Sequence, residues 1–153
     1  MLTSRPMVGT NEVELLRNGD ETYPLMIAAI DEARHSIGLA SYIFRADKVG
    51  ERFIEALARA HRRGVAVRVL IDGIGGRYIG TPAWRRLRQE GVPAARFLHT
   101  HLPWRMPFLN LRNHRKILCI DGRIGFTGGI NIGAENLRDH DPRHAVRDTH
   151  RSE

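Results

Sequence analysis

Apolar residues recur at helical spacing in "YPLMIAAIDEARHS", residues 23–36, where Met26, Ile27, Ile30 and Ala33 share one face and predict a helix. A second amphipathic helix is predicted in "VGERFIEALARAHRRG". Val49, Phe53, Leu57 and Ala60 line its apolar side, and Gly64 stops it. Between and after these lie two apolar runs that predict strands, "IGLASYIF" (37–44) and the β-branched "VAVRVLID" (65–72). "GIGGRYIGTP" predicts a loop. "PAWRRLRQEG" predicts a short helix, with Pro82 early and Gly91 just past its end. "AARFL" predicts a short strand. The stretch "THLPWRMPFLNLRN" is irregular, because Pro103 and Pro107 break any helix. "HRKILCI" and "RIGFTG" predict two further strands, with Asp121-Gly122 as a two-residue hairpin signal between them. "INIGAENL" fits a helical turn, and "RDHDPRHAVRDTHRSE" is polar.

Strands alternating with helices predict an α/β layered domain whose sheet is partly parallel. The 153 residues suffice for one domain with its own core, and no repeat or internal linker divides them. No run of about 18 apolar residues predicts a transmembrane helix. The first 21 residues hold no apolar run of the signal-peptide kind. The single cysteine, Cys119, sits inside an apolar run and is expected to be a buried small residue, not a redox or metal group.

Charge adds a partner class. The formal net charge is +7, from 24 basic and 17 acidic residues, which suits an anionic partner: nucleic acid, a phospholipid surface or a phosphorylated substrate. Only two of the basic residues are lysines, Lys48 and Lys116. The overall charge therefore reflects a preference for arginine, and Lys116 stands out, since a compact amine and a planar guanidinium are not interchangeable near a phosphate.

Lys116 belongs to "NHRKILCIDGRIGFTGGIN", which has the form H-x-K-x4-D-x6-G-G-x-N. On a strand His114 and Lys116, two apart, project from one face with Leu118 and Ile120, while Arg115, Ile117 and Cys119 take the other. An amine there neutralises a phosphate oxygen, and the imidazole attacks phosphorus or moves a proton. Gly128 and Gly129 let a substrate or another backbone come close. Asn131 can donate an amide hydrogen bond without adding charge. Asp121 alone is adequately explained by the hairpin turn. Each element is weak by itself, and the joint pattern is specific.

The pattern resembles the signature of the phospholipase D superfamily. "LLRNGDETYPLMIAAIDEARHSIGLASYIF", "GVAVRVLIDGIG", "RFLHTHLPWRMPFLNLRNHRK" and "GRIGFTGGINIGAEN" look like the N-terminal half of bacterial cardiolipin synthases, a resemblance running from about Val13 to His150. It implies a phospholipase D-like layered α/β domain, a mixed sheet flanked by helices, over residues 13–150, with an N-terminal extension (1–12) and a short tail (151–153). It also implies the chemistry. One histidine forms a phosphohistidine intermediate, and a second, from a second copy of the motif, protonates the leaving alcohol. Carried over, His114 is nucleophile or acid/base partner, Lys116 and Asn131 hold phosphate oxygens beside Gly128 and Gly129, and Asp121 is structural within the catalytic motif. Many members carry Ser at the position of Gly129. A carboxylate after the motif orients the histidine. Asp148 in "VRDTH" is the candidate, although Val146 stands where Trp is expected, and Glu135 competes with it. No metal or organic cofactor is expected.

A second H-x-K is missing: none of the other seven histidines has a lysine two places on. The site then needs either a second copy of the chain or a C-terminal half beyond the first motif. "AVRDTH" would open a further strand, which favours a chain cut after its first motif. Trp104, Met106, Phe108 and Leu109 among Arg105 and Arg112 could dip into a lipid interface, or form a loop packed over the core. Gly73 to Gly76 fits a turn, and His99 and His101 have no ligand partners at metal spacing.

The first expectation is a phosphatidyltransferase of the cardiolipin synthase type, with phosphatidylglycerol as donor and acceptor. It would sit peripherally at the anionic surface on the cytoplasmic side of a bacterial membrane. The alternatives are a homodimeric phosphodiesterase or nuclease of the same superfamily, with nucleic acid as its partner, and an inactive fragment that binds membrane or a partner chain.

Overall fold

Five strands in the order β3-β2-β1-β4-β5 form a single mixed sheet in the computed structural model, which describes residues 12–72, 82–97 and 113–138. The chain runs α1 (Asn18–Glu32), β1 (Ser36–Ser41), α2 (Lys48–Arg62), β2 (Ala66–Asp72), α3 (Ala83–Gln89), β3 (Ala94–Phe97), β4 (Ile117–Ile120) and β5 (Ile124–Thr127), ending in a 3-10 turn at Ala134–Asn136. The β1, β2 and β3 strands are parallel, joined through α2 and α3, while β4 adds antiparallel to the other side of β1 and pairs antiparallel with β5. The α/β layered sheet expected from the alternation of elements is therefore the observed one. It is mixed because β4 and β5 form a hairpin.

Strand periodicity decides which face carries the core. Ile37 and Leu39 of β1, Val67, Val69 and Ile71 of β2, and Leu118 and Ile120 of β4 are buried on one face against the helices. Phe53, Ile54, Leu57 and Ala60 of α2, with Tyr23, Met26 and Ile30 of α1, complete that core. Each fully buried aliphatic or aromatic side chain contributes about 1.5–3 kcal/mol. On the opposite face Gly38, Arg68, Cys119 and Gly125 are exposed. Cys119 is thus not the buried residue its apolar neighbours suggest: alternation turns it away from Leu118 and Ile120, onto the open face.

Helix α2 is well defined locally. The Asp47 carboxylate accepts from the N–H groups of Val49 and Gly50 at 3.0 Å each, with Glu51 in the first turn and Arg59, His61 and Arg62 in the last, as the helix dipole favours. Gly64 takes a positive φ of 89° just past the end.

Helix α1 differs from its sequence expectation at both ends. It begins at Asn18 and runs through Pro24, which lies on the exposed side, and it stops at Glu32 rather than near residue 36. The stop comes from a distant residue. The Asp121 carboxylate accepts from the N–H groups of Arg34, His35 and Ser36 at 2.9, 2.8 and 2.7 Å, and the Asp121 N–H donates to Ser36 O at 2.9 Å. These donors are taken away from helical bonding. The β4–β5 turn also differs: Ile120 pairs with Ile124, so the loop holds three residues, Asp121 to Arg123, with Asp121 and Gly122 both at positive φ (53° and 65°).

Candidate functional site

The site forms where the end of β1 meets the segments flanking the β4–β5 hairpin. β1 ends at Ser41, earlier than its apolar run suggests, and residues 42–45 zip onto 130–133 instead. Ile132 N–H donates to Ile43 O at 3.1 Å, Arg45 N–H to Ile132 O at 2.9 Å, and Phe44 bridges Ile132. Two devices fix this junction. Gly50, in the first turn of α2, lies so close to Arg45 O that a Cβ would run into that carbonyl. Asp47, while capping α2, accepts from Ala134 N–H at 2.7 Å through its other oxygen.

His114 precedes β4 in irregular backbone and is exposed. Its imidazole stacks on the ring of Tyr42, centroids 4.2 Å apart and planes 18° from parallel. Lys116 Nζ lies 5.2 Å from the same ring and donates to His114 O at 2.9 Å. Tyr42 is therefore the common surface against which imidazole and amine are placed. Just upstream, Asn113 N–H donates to Oδ2 of Asp72 at 3.0 Å. Asp72 is buried at the end of β2, so the approach to His114 is anchored to the central sheet.

Asn131 meets this group from the other side. Its Oδ1 accepts from Ile43 N–H at 3.2 Å, the residue next to Tyr42, which leaves its Nδ2 as the end that can donate to an anion. Its carbonyl accepts from Tyr23 Oη at 2.7 Å and Asn136 Nδ2 at 3.2 Å; Tyr23 Oη also reaches Gly133 O at 2.9 Å. Burial of Tyr23 pushes its phenol up to about 12, so it stays a donor. Gly128 and Gly129 share a cavity with Lys116, and a Cβ at either would meet nothing within 4 Å.

Of the residues singled out in the sequence, His114, Lys116, Asn131, Gly128 and Gly129 gather at one end of the sheet. Asp121 is not brought to them. It lies past the far end of β4, about 16–17 Å from Lys116 by strand rise. Three backbone N–H donors, those of Ser36 and Arg34 foremost, hold its carboxyl down at about 2. Glu135 is engaged by Arg45, at 2.8 Å. Asp148 lies outside the described residues, as do Trp104 and its neighbours, Gly73 to Gly76, His99 and His101. Among the described residues no cluster of three or more His, Cys, Asp or Glu could hold a metal, and no helix is long and apolar enough to cross a membrane.

Sequence reasoning passed over Tyr42, Asp72 and Tyr23. Tyr42 and Tyr23 sit in apolar runs where an aromatic residue is unremarked. Asp72 left a signal, a carboxylate closing the strand run "VAVRVLID", which burial would not tolerate without partners.

This arrangement has counterparts in known proteins. Residues 26–145 match the family described as cardiolipin synthase, PLD-like domain. Cardiolipin synthase 1 of Bacillus anthracis is 35% identical over 95% of this chain and 28% of its own length. A cardiolipin synthase of Geobacillus sp. (strain WCH70) is 39% identical over 95% of this chain and 29% of its own length. The chain thus spans under a third of these relatives. The solved structure of Nuc from Salmonella typhimurium, a phospholipase D family member, superposes with a TM-score of 0.57 at 25% identity, over 76% of this chain and 68% of that one. With more than half of its residues matched, the chain belongs to the cardiolipin synthase PLD-like domain family.

Proposed function

We propose that this chain carries one half of the active site of a phosphatidyltransferase of the cardiolipin synthase type. One observation carries the reading: an imidazole stacked on Tyr42 with Lys116 beside it, and an asparagine amide oriented by Ile43 N–H, stand at the end of the sheet where Lys116, Gly128 and Gly129 line a cavity. Such a set suits a phosphodiester. His114 attacks phosphorus and the bond to the leaving glycerol breaks. The histidine of a second motif gives that oxygen its proton. The hydroxyl of a second phosphatidylglycerol then attacks the phosphohistidine, loses its proton to the same second histidine, and frees His114. Lys116 and Asn131 Nδ2 stabilise the charge that builds on the non-bridging oxygens, and Gly128 and Gly129 leave room for them. Asp148 is the proposed carboxylate that orients His114. The second motif comes from a C-terminal half or a second copy, and the working place is the anionic, cytoplasmic face of a bacterial membrane.

The test incubates the chain, alone and with the C-terminal portion of a cardiolipin synthase supplied in trans, with phosphatidylglycerol vesicles. Cardiolipin and glycerol should appear together and fall by at least about 1,000-fold in His114→Asn. A second reading, a homodimeric phosphodiesterase, is supported by the likeness to Nuc, a phospholipase D family member, at a TM-score of 0.57 and 25% identity. It predicts His114-dependent cleavage of nucleic-acid diesters by the chain alone, with no cardiolipin formed.

A further inference from the structure

Two arginines meet at Trp84. The indole stands in the first turn of α3, half-buried, and packs against the core. The Arg96 guanidinium lies 4.3 Å from the ring centroid, and that of the exposed Arg85 lies 5.3 Å from it. Each contact is a cation–π attraction that the planar guanidinium suits. Two like charges against one ring also repel, unless an anion joins them. The described residues supply no such anion. Glu51 holds Arg86 at 2.9 Å and Glu90 holds Arg62 at 3.0 Å, while no carboxylate among the described residues pairs with Arg85 or Arg96. Desolvation, with the charge of Arg85 adding to it, pulls Arg96 below the ordinary arginine value. Both groups stay charged at neutral pH.

The sheet register says where this pair stands. Ser41 lies opposite Ile71, and Ile71 opposite Arg96. Arg96 is therefore two strands along from Ser41, roughly 10 Å at the usual strand spacing. Tyr42, which follows Ser41, stacks on His114. The arginine pair and the candidate site thus share the rim formed by the ends of the parallel strands. A flat anionic surface reaching along this rim from His114 meets Arg85 and Arg96 as well. The oxygens of one phosphate can accept from both guanidiniums and offset their repulsion.

We propose that Arg85 and Arg96, braced on Trp84, clamp the phosphate of an anionic phospholipid headgroup and hold this rim to a lipid surface while His114 works on a separate molecule. The choice of a lipid as the source of the phosphate rests on the phosphatidyltransferase reading above. The clamp itself rests on the geometry of the pair.

The test measures sedimentation of the full chain with phosphatidylglycerol vesicles, and NMR shifts on adding glycerophosphoglycerol or inorganic phosphate. Glycerophosphoglycerol should shift the Trp84 indole N–H and the Arg85 and Arg96 Nε–H signals saturably. Arg85→Gln/Arg96→Gln should weaken vesicle binding about 10–30-fold, the scale expected for two arginines at an anionic surface. Arg59→Gln/Arg62→Gln removes the same charge from ion-paired positions and should weaken it less than about threefold. Urea unfolding checks that both double variants stay folded. Equal weakening by the two would reduce the pair to general charge and overturn the clamp. Shifts with inorganic phosphate, but none with glycerophosphoglycerol and no vesicle binding through the pair, would overturn the lipid assignment in favour of a free-phosphate site. Binding of single-stranded DNA that needs the pair, where vesicle binding does not, would overturn it in favour of a nucleic-acid surface. Vesicle binding that needs the pair, in a chain that forms no cardiolipin even with the C-terminal portion supplied, would keep the clamp and overturn the phosphatidyltransferase reading. Cardiolipin formation with vesicle binding indifferent to the pair would do the reverse.

Discussion

Replacing Tyr23 by Phe removes one oxygen from the point where α1 holds the Asn131 segment. The ring is 2% exposed and packs edge-on against Phe53, centroids 5.5 Å apart, a contact the substitution keeps. What goes is the donor to Asn131 O and Gly133 O. Those carbonyls retain only longer bonds from Asn136, at 3.2 Å from its Nδ2 and 3.4 Å from its backbone N–H. The cost is that of a buried hydrogen bond with its acceptors left under-satisfied, about 1–2 kcal/mol. Tyr23→Ala adds the lost ring and should cost about 3–5 kcal/mol. Urea unfolding followed by circular dichroism should show a lower midpoint at unchanged slope, with a melting temperature lower by about 2–8 °C for Tyr23→Phe. The alkaline limb gives a second readout. Because the folded pKa is raised to about 12, the phenol's contribution is complete below its ordinary value of 10.0 and is lost as pH rises through 12. The difference between wild type and Tyr23→Phe should therefore shrink across that window. A loss below about 0.3 kcal/mol, or a difference that does not change above pH 10, would refute the claim that this hydroxyl secures the segment carrying Asn131.

The carboxyl of Asp121, depressed to about 2 by its backbone donors, should stabilise fully above its ordinary value of 3.8 and cease to do so as pH falls through 2. Thermal melts of Asp121→Asn and wild type should therefore converge near pH 2 and separate above pH 4; a gap that is constant with pH would count against those hydrogen bonds. Gly50→Ala should destabilise by about 1–3 kcal/mol in urea, because its Cβ must displace the Arg45 carbonyl, and a neutral result would mean that this approach is looser than described. Tyr42→Leu should change the unfolding free energy by less than about 1 kcal/mol and slow the proposed transfer about 10–100-fold, since it removes the surface that places His114 and Lys116. Equal loss of stability and rate would make Tyr42 a packing residue.

What was legible in the sequence followed from local periodicity. The buried face of α2, the alternation in β2 and the apolar pattern of β4 each state which side is covered, and the sheet assembles from those statements. Boundaries set by distant partners were not legible. Nothing near Glu32 announces that α1 ends there, because the group that takes its next three N–H donors is Asp121, more than 80 residues on. The premature end of β1 has the same cause: Ile43 and Phe44 read as strand but find their partner in Ile132. At the site, residue types with unusual chemistry for their position stood out, as His114 and Lys116 did. Tyr42 and Tyr23 did not, because an aromatic residue in an apolar run carries no sign of whether its ring or hydroxyl is also used.

The same geometry explains why the motif has its spacing. The four residues between Lys116 and Asp121 are the four residues of β4, Ile117–Ile120, whose alternate members fill the core through Leu118 and Ile120. Lys116 stands at one end of that strand and Asp121 at the other, where it fastens the junction of α1 and β1. β1 in turn pairs along β4, and its continuation delivers Tyr42 to His114 and Ile43 to Asn131. The aspartate therefore acts at a distance, by fixing the register of β1 against β4. A slip of one residue there would turn the core face outward and carry Tyr42 away from the imidazole. In the proposed reaction the motif's histidine and lysine handle the anion, and its aspartate keeps the two strands aligned so that they can.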